Sequence, residues 1–560
     1  MSSISREQLN TIKVCVDKIA KSHRVVGICL YGSKAAGYAR PNSDFDIIIV
    51  LEDYAYTVKY VYLRETDVQI SALVVDRQAF EKDACSGFLG EFVAGRLLHI
   101  YEPITNPGLF RSLEVAYKRR VILDEIFNIV RTTNIICTEI SFPLEYIMFS
   151  KIRQRSILYP NAIYSYYKIY TGQNALHNIE FALDGYQEAL KEIIEEDGEL
   201  LIFRSFHDIL RISEKRVDIE RTGKIASLKL AKKLQQFTSY FIHAYAGRHT
   251  IHYAITEAEA KIRRHNKYPI ELPNFISSPK KLYWKLPEGL LIIDDEDWLY
   301  EIAKSNGFFR YFISNKSKLG EMNSTSISYT LTNSEDRNQK KVIVVKDLTK
   351  SQRGRWPSLR MWTFPGRDFR INPLYRLGIE YKALRYIRSV GLNTPVIECV
   401  VLGKKILVTQ FIEGKPISDI IKECLKGNAS PDGLKWIKEV GEQIAKIHAN
   451  KSTLGSIKPN NIILSKENTI YFTGVEEFGF KAGDPVYDVI HFISRALKKT
   501  SNNVMARKII KEFLRGYSNV MPIEQIKKLF ESTNHVKLHY PTITPSVART
   551  IEKELSKFIH

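Results

Sequence analysis

Two aspartates, Asp44 and Asp46, stand at the start of the apolar run DFDIIIV, and an earlier apolar run, VVGICLY, closes on Gly32 and Ser33. Side chains alternate between the two faces of a strand, so Asp44 and Asp46 project together and can share a divalent cation that neither would hold well alone. Mg²⁺ prefers carboxylate and phosphate oxygens, and a pair of this kind could orient a nucleotide's phosphates for in-line attack. Gly32 carries no side chain, so the backbone N–H groups of the turn that it opens could face triphosphate oxygens.

The elements needed to hold these residues are two adjacent strands joined by a turn. Gly-Ser, ten residues and then Asp-x-Asp resembles the signature of the DNA polymerase beta nucleotidyltransferase superfamily, with Gly32, Ser33, Asp44 and Asp46 matching position by position. The resemblance implies a third carboxylate on a later strand. In TDVQISALVVDRQAF the residues Asp67, Gln69 and Ser71 share one parity, and the spacing favours Gln69 or Ser71 at that position. Neither is an acid, so Asp67, at the strand's start, is taken as the third ligand or general base. General-base assistance is typically worth about two to four powers of ten in rate, so its loss would slow metal-assisted transfer without abolishing it.

A chain of 560 residues is long enough for several domains, and its 44% apolar and 26% charged content is that of an ordinary globular protein. The cysteines at 15, 29, 85, 137, 399 and 424 show no Cys-x-x-Cys or Cys/His ligand spacing, which argues for a reducing cytoplasm and against structural zinc. No signal peptide or apolar run near membrane-spanning length is present, so neither secretion nor a membrane partner is expected. The net charge of +20 is uneven: residues 1–100 carry 0, residues 101–270 carry +4 and residues 271–560 carry +16. A basic C-terminal half suggests a polyanionic partner, most simply RNA or DNA, although a lysine-rich surface would give the same sum.

Along the chain, Ser5 and Gln8 form a capping box before Leu9, Ile12, Val16 and Ile19 at helical spacing, and FLGEFVAGRLLHI (88–100) reads as a short helix. Residues 1–108 are assigned to the nucleotidyltransferase core, 109–250 to a helical domain that would hold the acceptor, 251–315 to a connector and 316–560 to a further domain. Within the helical stretch, Lys151, Arg153 and Arg155 lie among Tyr159, Tyr164, Tyr166 and Tyr167, either a nucleic-acid face or, the commoner arrangement, a tyrosine-rich helical core with a solvated basic face.

In the last domain KKVIVVKDL bears Lys346, IEYKALRYIRSVG bears Glu380, and LGSIKPNNIIL bears Asn461. Their order over residues 316–520 looks like a protein-kinase fold, most similar to the small archaeal kinases of the RIO and KEOPS-associated classes and to the aminoglycoside-phosphotransferase-like kinases. By that resemblance Lys346 binds phosphate, Glu380 pairs with it and Asn461 binds metal. The catalytic-loop acid is replaced by Ser456 and its histidine by Leu454. Gly474 stands where the second metal-binding aspartate belongs, with Glu476 and Glu477 following, and Gly320 is the one obvious member of a glycine-rich loop. Phosphoryl transfer depends on those acids, so a pseudokinase is expected, with residual nucleotide binding at Lys346, Glu380 and Asn461 as one outcome and a structural ion pair as the other.

SQRGRWPSLRMWTFPGRDFRINPLYR is the densest basic-aromatic run, with Arg353, Arg355, Trp356, Arg360, Arg367 and Arg370 as candidate RNA contacts and Arg376 near its end. The expectation is an α+β multidomain enzyme that transfers a nucleotidyl group from a Mg²⁺- or Mn²⁺-bound NTP, with ATP the expected nucleotide, to RNA. Protein nucleotidylation, a small-molecule acceptor, an atypical kinase and a non-catalytic RNA scaffold stand as alternatives, and the sequence leaves the oligomeric state open.

Overall fold

The computed structural model describes residues 4–65, 68–196, 201–204, 209–213, 270–294, 298–307, 311–318, 326–349, 372–427, 431–522 and 548–554, apart from isolated positions. The chain divides into two compact units, one of residues 1–133 and 137–285, the other of 134–136 and 286–560. Both mix helix and sheet, giving an α+β multidomain protein.

In the first unit, α1 (Arg6–Ala20) begins with the predicted capping box: Ser5 accepts from the Gln8 N–H and the Gln8 side chain accepts from the Ser5 N–H. Its buried residues Ile12, Cys15 and Val16 pack on one face of a five-stranded sheet. The strands are β1 (Val25–Tyr31), β2 (Phe45–Leu51), β3 (Val58–Glu65), β4 (Val68–Asp76) and β5 (Glu102–Thr105), in the order β3-β4-β2-β1-β5. Only β2 and β4 run parallel. Ile47, Ile49 and Leu51 of β2 and Ile70, Ala72 and Val74 of β4 fill the α1 side, which leaves the opposite parity, including Asp46 and Ser71, on the other face. The short helical turn α2 (Gly32–Ala35) leaves β1 at the edge of that face.

The segment 88–100 is not the helix that its apolar residues suggested. Asp83, buried near the end of α3 (Arg77–Ser86), accepts backbone N–H bonds from Leu89, Glu91, Val93 and Ala94 at 2.7–3.2 Å. Glu91 adopts φ +66°, and only Ala94–Leu98 winds into a 3₁₀ turn. A buried carboxylate that gathers four amides competes directly with the helical hydrogen-bond pattern. The long helix α4 (Pro107–Thr133) follows, then α5 (Leu144–Leu158), α6 (Ile163–Thr171) and α7 (Ala175–Glu196), with a small sheet of β6 (Ser141–Pro143), β7 (Leu201–Arg204) and β8 (Ile209–Ile212) in the order β6-β8-β7.

The basic-aromatic stretch in α5 and α6 resolves as core rather than surface for its central residues. Lys151, Arg155, Tyr166 and Tyr170 are buried. Lys151 Nζ lies 2.6 Å from Glu91 Oε2, Arg120 Nη1 lies 2.8 Å from Glu91 Oε1, and Arg155 donates to the Glu91 carbonyl. Arg153 is exposed.

In the second unit, β9 (Leu290–Ile292), β10 (Tyr311–Lys318), β11 (Ser326–Asn333), β12 (Lys340–Asp347), β13 (Ile397–Val401) and β14 (Ile406–Gln410) form a sheet ordered β10-β11-β12-β14-β13-β9. Trp298 and Ile302 pack on Ile343, Val345, Val401 and Val408. The helix carrying Glu380 runs Pro373–Ser389, starting seven residues earlier than the glutamate because Asn372 caps it and Pro373 opens it. Helix Pro431–Ala449 buries Ile437, Val440, Ile444 and Ile447 at the expected spacing and packs against helix Asn503–Ser518. Among the described residues no helix is long and apolar enough to cross a membrane.

Candidate active site

The sheet register builds the site. Tyr31 of β1 lies beside Asp46 of β2, and Asp46 lies beside Ser71 of β4. In-register neighbours face the same way, so Asp46, Ser71 and Tyr31 form a row, with Asp44 one turn of the pleat further along. Of Gln69 and Ser71, the two residues that spacing favoured for the third position, Ser71 is the one in register with Asp46. Asp67 lies outside the described residues.

The Asp46 carboxylate packs on Gly32. A Cβ built at Gly32 would lie 2.2 Å from Asp46 Oδ2, and the glycine's φ of +76° is itself one that L side chains avoid. Turn and acid therefore meet only because residue 32 is glycine. Tyr31 and Tyr38 flank the pair, and burial raises both hydroxyls, Tyr38 to about 12, with the nearby Asp46 charge adding to each rise. Both phenols therefore stay protonated at neutral pH and present donors rather than charge. Asp44 accepts a 2.9 Å hydrogen bond from the Tyr62 hydroxyl on β3, a partner that local spacing gave no means of finding.

Two carboxylates on one face, one of them seated on a bare Cα, fit a hard divalent cation that keeps its other sites for water and phosphate. Among the described residues, which do not include Asp67, no group of three or more His, Cys, Asp and Glu side chains suited to a metal occurs.

The second constellation also assembles. Lys346 Nζ on β12 lies 2.8 Å from Glu380 Oε2, as its resemblance implied. It also lies 3.1 Å from Glu476 Oε2, and Arg376 Nη2 lies 2.6 Å from the same oxygen. Arg376 is thus buried in this cluster and is not part of an RNA-facing run. Asn461 Nδ2 donates to the Gly474 carbonyl at 3.2 Å, and a Cβ at Gly474, whose φ is +64°, would come within 2.5 Å of that amide nitrogen. An aspartate at 474 would therefore displace Asn461. Ser456, Gly320 and the arginine run Arg353, Arg355, Trp356, Arg360, Arg367 and Arg370 lie outside the described residues.

A nucleotidyltransferase domain family model matches residues 11–96, which take in α1 from Thr11 onward, the Gly32 turn, both aspartates and β4. The chain joins a nucleotidyltransferase domain to a kinase-like one. KEOPS complex subunit Bud32 of Pyrococcus abyssi is 28% identical over 163 residues, 28% of this chain and 70% of that protein. A probable bifunctional tRNA threonylcarbamoyladenosine biosynthesis protein of Methanosphaera stadtmanae is 25% identical over 160 residues, 28% of each chain. An EKC/KEOPS complex subunit of Schizosaccharomyces pombe is 23% identical over 145 residues, 25% of this chain and 60% of that one. This chain thus spans well under two thirds of the Methanosphaera protein and somewhat under two thirds of the Schizosaccharomyces one.

Glu476 gives the kinase-like part a titratable signature. Burial alone would raise its carboxyl, but Lys346 and Arg376 outweigh burial and hold it at about 2. A depressed folded pKa stabilises above the ordinary carboxylate range and loses that contribution as the pH falls from about 5 towards 2. Thermal melts of wild type and Glu476→Gln should therefore differ at pH 7 and converge through that window. A difference independent of pH would show that the cluster is not ionised as described.

Proposed function

We propose that this chain transfers a nucleotidyl group from a Mg²⁺- or Mn²⁺-bound NTP, with ATP the expected nucleotide, to an acceptor hydroxyl, most simply on RNA. The observation that carries the reading is the seating of the Asp46 carboxylate on Gly32 with Asp44 on the same face. Asp44 and Asp46 would hold the cation, which would supply neutralisation of triphosphate charge for in-line displacement, and the Gly32-Ser33 backbone would face the triphosphate. The acceptor oxygen forms a bond to the α-phosphorus as the bond to pyrophosphate breaks, and the hydroxyl proton passes to Asp67 or to solvent.

The kinase-like part is proposed as a pseudokinase. Glu476 neutralises the lysine that would meet a phosphate, and Gly474 replaces a metal-binding acid. Lys346, Glu380 and Asn461 remain the candidate nucleotide contacts, and Arg353, Arg355, Trp356, Arg360, Arg367 and Arg370 the candidate RNA contacts. Relatives whose names refer to tRNA modification favour a tRNA-like acceptor.

The test incubates the protein with Mg²⁺, each α-³²P-labelled NTP and total cellular RNA. Label on RNA that disappears in the Asp44→Asn/Asp46→Asn variant is the expected result. Label on the protein itself would replace the RNA acceptor with nucleotidylation, and no label on any macromolecule would favour a scaffold.

A further inference from the structure

We propose that Tyr62 is a positioning residue for Asp44, reaching it across the sheet over Ser71. The inference rests on the nucleotidyl-transfer reading and adds to it the group that orients one metal ligand. Tyr62 on β3 is opposite Ser71 on β4, and Ser71 is beside Asp46 on β2. Tyr62 and the aspartates are therefore two strands apart, about 9–10 Å at ordinary strand spacing. A tyrosine is long enough to bridge that gap, and only a small residue on the intervening strand leaves room for it to lie across. Ser71 is that small residue, and the Tyr62 hydroxyl arrives 2.9 Å from Asp44 Oδ2.

Asp44 needs such a partner more than Asp46 does. Asp46 is inside the β2 ladder, paired on both sides and seated against Gly32. Asp44 precedes the first residue of β2 and follows the turn in which the Arg40 and Ser43 backbones bond, so no ladder fixes its backbone. A hydrogen bond from a phenol to Oδ2 selects one side-chain rotamer and leaves Oδ1 as the oxygen that would take a cation. Tyr62 is 41% exposed, so the bond is accessible to change without emptying a core position.

The test measures Mn²⁺ binding to the full chain in the presence of α,β-methylene-ATP, by electron paramagnetic resonance, for wild type, Tyr62→Phe and Asp44→Asn/Asp46→Asn. Tyr62→Phe should weaken Mn²⁺ about tenfold, the usual size of a lost hydrogen bond to a carboxylate. It should raise the Mg²⁺ concentration for half-maximal turnover by the same factor, leave kcat at saturating Mg²⁺ within about twofold and leave the melting temperature unchanged. Wild-type Mn²⁺ affinity in Tyr62→Phe, with binding lost in the aspartate variant, would overturn the role of Tyr62 while leaving the nucleotidyl-transfer reading intact. Failure of wild type itself to bind Mn²⁺ would overturn both.

Discussion

Gly32→Ala should lower nucleotidyl transfer by at least about 10²-fold, comparable to losing one preorganised group in an active site, while the unit stays folded. The added Cβ would lie 2.2 Å from Asp46 Oδ2 and 3.0 Å from its Cγ, so the carboxylate must swing away or the turn must shift. Either movement separates the proposed metal ligand from the backbone proposed to face the phosphates. The φ of +76° adds strain of order 1–2 kcal/mol, small beside the stability of a domain. Circular dichroism and thermal melting should therefore report a nearly native protein, and Mn²⁺ binding should fall with activity. Full activity in Gly32→Ala would mean that the Asp46–Gly32 contact has no part in the chemistry.

Glu91→Ala should have the largest effect on stability, about 3–5 kcal/mol, the usual consequence of breaking a buried charge cluster by removing one partner. Glu91 is 6% exposed and its carboxylate faces Arg120 and Lys151, with the Tyr117 hydroxyl at 3.2 Å and Arg155 Nη1 at 3.8 Å. Without it, three neighbouring cations lose the carboxylate that they share, and Arg120 keeps Asp124 at 3.6 Å. Urea unfolding should show the loss as a lowered midpoint with an unchanged slope. A midpoint within experimental error of wild type would show that those cations reach water or other acceptors unaided.

What could be read from the sequence was local. The alternation of apolar residues in DFDIIIV fixes which face Asp44 and Asp46 share, and the glycine before Ser33 marks the turn, because both signals lie within a few residues of the chemistry. Ser5 and Gln8 declare the first helix in the same way, as do Ile437, Val440, Ile444 and Ile447 for a helix in the second unit. The Tyr62–Asp44 bond depends on the pairing of three strands, which no local pattern encodes. The same limit applies to Arg376. Its neighbours in sequence suggest a basic surface, but one helical turn before Glu380 it faces inward to Glu476. The helix expected over 88–100 fails because of Asp83, which precedes it and takes the amides that a helix would use. Lys151 and Arg155 look like a charged face until Glu91 is placed among them.

Pyrophosphate release is the most direct measure of whether the Asp44–Asp46 pair performs the chemistry. Wild type, Asp44→Asn/Asp46→Asn and Lys346→Ala would each be supplied with NTP, Mg²⁺ and cellular RNA. Mg²⁺-dependent release is expected from wild type and from Lys346→Ala, with a fall of at least about 10³-fold in the aspartate variant. Release that survives loss of both aspartates would show that the pair does not perform the chemistry, and release that instead disappears with Lys346→Ala would move it to the kinase-like part of the chain.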